Sequence, residues 1–176
     1  MRPAPLLLLA LLILAGCSPE RRQLRTCLTE NSPFVEQHGT REYAGFLAIW
    51  EAYLMGEGFL EGANRAAYEA FIPRVPTEAA SYPMLEVCSE FQDCWMAASP
   101  SGALAPAFCM STLGDASWAQ AFDTAADSEA GFDTAFFQDA LARMTPAQFK
   151  HIEFRGLFLV WAFNAAFHAN DAGMSS

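Results

Sequence analysis

Cysteine offers the most chemistry in this 176-residue chain, and there are five of them. Cys17 stands apart, directly after Leu14-Ala15-Gly16, while Cys27, Cys88, Cys94 and Cys109 lie in the body of the sequence. A thiol can act as a nucleophile, hold a soft metal or form a bridge. Zinc would want cysteines paired at CxxC spacing with histidines nearby; no CxxC occurs, and the chain has three histidines. Four body cysteines read instead as two disulfides, which removes them as nucleophiles. Three connectivities are open. On one continuous helix, Cys88 and Cys94 would stand about 9 Å apart along the axis and on different faces, too badly placed to bridge. Cys94 and Cys109 lie nearly symmetrically about Ser99-Pro100-Ser101-Gly102, a strong turn signal. A helical hairpin there predicts Cys94–Cys109 and leaves Cys27–Cys88.

The remaining polar residues give weaker patterns. His38 and Glu42 share a helix face at i, i+4, and His151 lies beside Glu153. Neither pair has a third ligand at helical spacing and no HExxH occurs, so surface pairs or caps are expected and no metal. There is no GxSxG, Walker loop or GxGxxG. The run Asp127-Ser128-Glu129-Ala130-Gly131-Phe132-Asp133 invites comparison with a calcium loop. An EF-hand needs glycine at its sixth position and a carboxylate at its twelfth; here glycine is fifth and Gln138 is twelfth. A turn with helix-capping carboxylates is expected instead. Two carboxylates of a glycoside hydrolase could meet in three dimensions, but the sequence singles out no pair. No catalytic residue and no cofactor is assigned.

The elements that must position these residues read as helices throughout. Ser32-Pro33 suits a helix start, serine as cap and proline in the first turn. Tyr43, Phe46, Leu47, Trp50, Tyr53 and Leu54 recur at three and four residues and form one wide stripe. Gly56 and Gly58 predict a break, and Pro73 and Pro76 end the helix that follows. Pro83 marks a kink or restart. Gly114 closes the short apolar helix after the 99–102 turn, and Asp115 opens the next. Thr145-Pro146-Ala147-Gln148 has the form of a capping box. The helix it opens runs to Ala169 and is apolar nearly all round, which predicts burial on most sides. Its Gly156–Trp161 stretch resembles Gly45–Trp50, which suggests two helices packed face to face around a Trp–Trp contact. No sustained alternating run suggests a strand. The expected fold is all-α, a single disulfide-stapled helical domain.

Composition adds a charge argument. The net charge is −10. From Val75 to Ala142 there is no lysine or arginine, and that stretch holds Glu78, Glu86, Glu90, Asp93, Asp115, Asp123, Asp127, Glu129, Asp133 and Asp139. Such a surface repels nucleic acid and anionic headgroups. It is a solubilising face in the first instance and a docking face for a basic protein in the second.

The N-terminus gives the most specific pattern. Arg2 precedes an apolar run from Leu6 to Leu14, and Leu14-Ala15-Gly16-Cys17 closes it. The run is too short for a bilayer span, which needs about 20 residues, and has the size of a signal-peptide core. The whole resembles the type II signal peptide and lipobox of bacterial lipoproteins. The resemblance implies cleavage after Gly16 and a diacylglycerol, with its palmitate-type chains, on the Cys17 thiol. Residues 1–16 would be leader, 17–25 a lipidated polar tether, and 26–176 the helical domain. Ser18, where aspartate would retain a lipoprotein at the inner membrane, implies an outer-membrane address facing the periplasm.

A second resemblance covers residues 26–90. Thr26-Cys27, Trp50-Glu51-Ala52-Tyr53-Leu54-Met55-Gly56 and Glu86-Val87-Cys88 are similar to patterns in small helical periplasmic proteins. These are the acid-stress chaperones of the HdeA type and the helical immunity proteins of type VI secretion. That likeness implies a Cys27–Cys88 bridge; the helical extension after Cys94 departs from it. The expected function is a non-enzymatic, membrane-anchored envelope domain that binds a protein partner. An envelope hydrolase with a carboxylate pair, or an immunity protein against a secreted toxin, is the alternative.

Overall fold

The computed structural model describes residues 18–113, 116–128 and 132–174. Residues 1–17, with the apolar run and Cys17, lie outside the described residues, as do the Gly114-Asp115 boundary and positions 129–131 of the acidic run.

Helix α1 (Pro19–Asn31) leads directly into α2 (Pro33–Gly56). Ser18 caps α1 through Arg21 N, and Ser32 caps α2 through Val35 N, each with proline in the first turn. The helical run of α2 is interrupted at Gly39, whose φ of 83° suits glycine, so the predicted start at Ser32 and the stripe from Tyr43 belong to two pieces. Gly56 ends α2 and Gly58, φ 78°, turns the chain. Next come α3 (Arg65–Phe71), a 3-10 turn (Ile72–Arg74), α4 (Val75–Glu78) and a second 3-10 turn (Ala79–Ser81). After Pro83 the chain restarts as α5 (Met84–Glu90), followed by α6 (Trp95–Ala98) and α7 (Pro100–Ser111). The remainder is α8 (Ala116–Asp127), α9 (Thr134–Arg143), α10 (Pro146–Phe149) and α11 (Ile152–Met174). No strand occurs among the described residues, and the all-α, disulfide-stapled expectation holds.

The chain is organised around α11. Phe154, Leu157, Phe158, Leu159, Val160, Ala162, Phe163 and Ala166 are all buried, so this helix meets neighbours on most sides, as its composition predicts. The capping box at Thr145 is present, with Gln148 closing it, but it opens only the four-residue α10. The chain breaks at Lys150-His151 before α11 begins. Helix α2 packs face to face with α11, with Gly156 at the contact. A Cβ there would lie 2.8 Å from Leu47 Cδ1 and 3.2 Å from the Tyr43 hydroxyl, so a larger residue would require these side-chain ends to shift.

The expected Trp–Trp contact does not form. Trp50 donates its indole N–H to the Leu159 carbonyl at 3.0 Å and meets Phe163 edge-on. Trp161 lies two residues from both Leu159 and Phe163, about 200° around the helix, and stacks on Phe137 at 4.1 Å between centroids.

The disulfides join Cys27 to Cys109 and Cys88 to Cys94, which corrects both expected pairings. The Cys94–Cys109 expectation fails because Ser99-Pro100 starts a helix instead of closing a hairpin. Ser99 Oγ accepts from Gly102 N, and α6 folds onto the first turn of α7. The exclusion of Cys88–Cys94 assumed one continuous helix. Helix α5 stops at Glu90 and a turn returns the chain through Phe91, Gln92 and Asp93, bringing the Cα atoms to 5.3 Å. The Cys27–Cys88 bridge implied by the second resemblance is likewise replaced.

A polar tether over residues 18–25 is also corrected. Leu24 is buried and α1 begins at Pro19, so this segment belongs to the folded body.

Candidate functional site

Two buried charges, one on α2 and one on α11, define the polar interior. Glu51 follows Trp50 in the buried stripe of α2, and Arg155 lies in the first turns of α11. They meet in a bidentate pair: Arg155 Nε donates to Glu51 Oε1 at 2.8 Å and Nη2 to Oε2 at 2.9 Å. Arg155 Nη1 donates to the Phe149 carbonyl at 2.9 Å, and its guanidinium sits over the Phe149 ring. Tyr68 from α3 donates its hydroxyl to Glu51 Oε1 at 2.5 Å. Burial pushes the Tyr68 hydroxyl pKa far up, with the Glu51 charge adding to it, so it stays a donor. Burial would lower the Arg155 pKa, but the Glu51 bonds and charge more than offset this and raise it. This cluster is paired on every side and has no nucleophile in it.

Two residues back along α11, Glu153 faces α1 instead. Its Oε1 accepts from Arg21 Nε at 3.1 Å and Nη2 at 2.7 Å, from Arg25 Nε at 2.9 Å, and from Arg25 Nη2. Both arginines crowd onto one oxygen. Glu153 Oε2 and the Tyr43 hydroxyl are buried with no hydrogen-bond partner among the described residues. Burial raises the Glu153 pKa, but hydrogen bonds from Arg21 and Arg25, with a backbone bond, outweigh it and hold the carboxyl below its usual range. Burial, then the Glu153 charge, pushes the Tyr43 hydroxyl far up. Glu153 is therefore an ionised anchor for α1 and not a proton donor near neutrality. Gln148 supports the same junction by donating to Glu20 at 3.1 Å.

The sequence-predicted residues fall elsewhere. His38 Nε2 lies 3.4 Å from Asp93 Oδ2, without the alignment of a hydrogen bond. Asp93 thus replaces Glu42 as its partner, delivered by the Cys88–Cys94 turn. The groove there, lined by Phe34, His38, Glu42, Glu90 and Asp93, is about 210 Å³. No metal-binding group of three ligands occurs among the described residues. Asp133 caps α9 through Phe136 N, the capping role expected for that run. Sequence reasoning missed the Glu51–Arg155 and Glu153–Arg21–Arg25 clusters. The available signal was a charge inside an apolar helix, which implies a buried counter-charge.

The α1 side of the domain carries a groove of about 710 Å³, lined by Pro19, Arg22, Gln23, Thr26 and Glu30 of α1 and by Phe108 and Thr112 near the end of α7. Cys27–Cys109 staples the two helices beneath it. No described helix is long and apolar enough to cross a membrane. The fold and these clusters define an all-α, disulfide-bonded domain. Compared with protein-family models, curated proteins and solved structures, the chain matches none.

Proposed function

We propose that this chain is a lipid-anchored domain of a bacterial envelope, outer membrane and periplasm-facing. It acts by binding a protein partner through its acidic stretch rather than by catalysis. The observation that carries the binding half of this reading is the state of the carboxylates. The buried ones, Glu51 and Glu153, are held by arginines. Glu86, Glu90, Asp123 and Asp127 stand exposed without an ion pair among the described residues. Unneutralised surface carboxylates in a stretch free of lysine and arginine favour a basic partner and steer its approach. The lipobox resemblance at Leu14–Cys17 supports the anchor, and two disulfides are consistent with an oxidising compartment.

The test is affinity capture from an envelope extract with the mature domain. A variant with Glu86→Gln, Glu90→Gln, Asp123→Asn and Asp127→Asn runs alongside. The expected result is a basic protein retained at low salt by the native domain, released by salt and lost in the variant. Equal capture by both would sink the acidic-face reading. Labelling with a palmitate analogue tests the anchor separately: native protein takes label and Cys17→Ala does not.

A further inference from the structure

Helix α1 starts so early that it leaves almost no leash. Only Ser18 stands between Cys17 and Pro19. Two Cα steps of 3.8 Å keep the Cys17 Cα within about 7.6 Å of Pro19. A lipid on Cys17 would therefore place the start of α1 at the headgroups, and the elements packed beside α1 come within reach of the bilayer.

Helices α1 and α7 form one face there. The two run antiparallel, since Cys27 is joined to Cys109 while Gln23, one turn earlier, donates to the carbonyl of Thr112, nearly one turn later. Pro19 and Phe108 line the same groove. Leu104 and Phe108 stand one turn apart on the outward side of α7, 42% and 40% exposed. Arg22 and Glu30 line the groove with Phe108, a cation and an anion suited to a zwitterionic headgroup layer.

Resting on the reading of Cys17 as the lipid-bearing residue, we infer that the α1–α7 face seats on the lipid surface itself, with Leu104 and Phe108 entering the boundary between headgroups and acyl chains. Exposed apolar side chains held beside a bilayer gain by entering its interface, in proportion to the apolar area they bury. The lipid supplies the holding force and the face supplies orientation. The domain is then a part fixed to the bilayer, not a body roaming the periplasm.

The experiment uses the full-length protein, purified with its own lipid and reconstituted in zwitterionic vesicles of phosphatidylethanolamine and phosphatidylcholine. A trace phospholipid carries a photoactivatable acyl chain. Crosslinks are expected on the α7 peptide bearing Leu104 and Phe108, several-fold above those on the α5 peptide bearing Leu85, which is 78% exposed. Two variants sharpen the result. Leu104→Ser with Phe108→Ser should lose the α7 crosslinks while staying on the vesicles. A Gly-Ser spacer inserted between Ser18 and Pro19 should weaken them several-fold. Acylated Cys17 with crosslinks absent from α7, or equal on α7 and α5, overturns the seating. An intact mass with no acyl group on Cys17 overturns the anchor beneath it.

Discussion

Helix α11 sends two charges in opposite directions, and their surroundings differ. Arg155 points toward α2 and α3, where every atom of its pairing with Glu51 is met by a partner of fitting shape. Glu153 points toward α1, where two arginines share one oxygen while its other oxygen and the Tyr43 hydroxyl meet none among the described residues. The Arg155 cluster is shut away from water. The arginines at Glu153 are 23% and 37% exposed and can turn outward. A closed network fixes one arrangement, and removing one member strands the rest. A half-open one holds α1 while tolerating change. The difference teaches that the pairing joining α2, α3 and α11 tolerates less change than the pairing that helps hold α1.

Breaking the closed cluster should have the largest effect. Arg155→Met leaves Glu51 buried without its counter-charge and should cost about 3–5 kcal/mol in denaturant unfolding. Adding Glu51→Leu should recover much of that loss, since the stranded charge goes too. Next, Tyr68→Phe removes a hydrogen bond to a charged oxygen and should cost about 1.5–3 kcal/mol. Third, Glu153→Gln should cost about 1–2 kcal/mol, because its arginines can reach solvent. The pH dependence of this variant has a definite sign. Glu153 titrates lower in the folded chain than in the unfolded one. Its contribution is thus full above the ordinary glutamate value of about 4.3 and fades as pH falls below that. The stability gap between native protein and Glu153→Gln, from thermal melts, should be flat from neutrality to about pH 5 and shrink under acid. The smallest effect belongs to Tyr43→Phe, which deletes a buried hydroxyl with no hydrogen-bond partner among the described residues. It should shift stability by under about 1 kcal/mol, with gain as ready as loss. A Tyr43→Phe loss as large as that of Tyr68→Phe would erase the distinction between the two sides.

The bridges repeat the contrast. Cys27–Cys109 spans 82 residues and Cys88–Cys94 spans six. By chain entropy the first contributes about 4.5 kcal/mol and the second about 2. Cys27→Ser with Cys109→Ser should therefore lower the melting temperature more than Cys88→Ser with Cys94→Ser.

Local signals were readable from the residues and pairings in space were not. Ser32-Pro33, Thr145-Pro146-Gln148 and the Gly56–Gly58 break act through neighbouring backbone, so their spacing suffices. The all-round apolar character of α11 likewise fixed its central burial. The disulfides turned on whether Ser99-Pro100 closes a turn or opens a helix, and both uses suit the same residues. The Glu51–Arg155 pair joins positions 104 residues apart, which no local pattern can mark. The carboxylates expected on the surface between residues 75 and 142 are there, exposed or half-exposed wherever they are described.

The link between Cys27 and Cys109 also bears on how the protein is made. A chain oxidised as it emerges, first residue first, exposes Cys27, then Cys88 and Cys94, and only last Cys109. Joining thiols in order of arrival would couple Cys27 to Cys88 and trap the wrong partner. The native pattern skips two cysteines, so a maturing molecule must either hold Cys27 reduced until Cys109 arrives or reshuffle an early mistake by thiol–disulfide exchange.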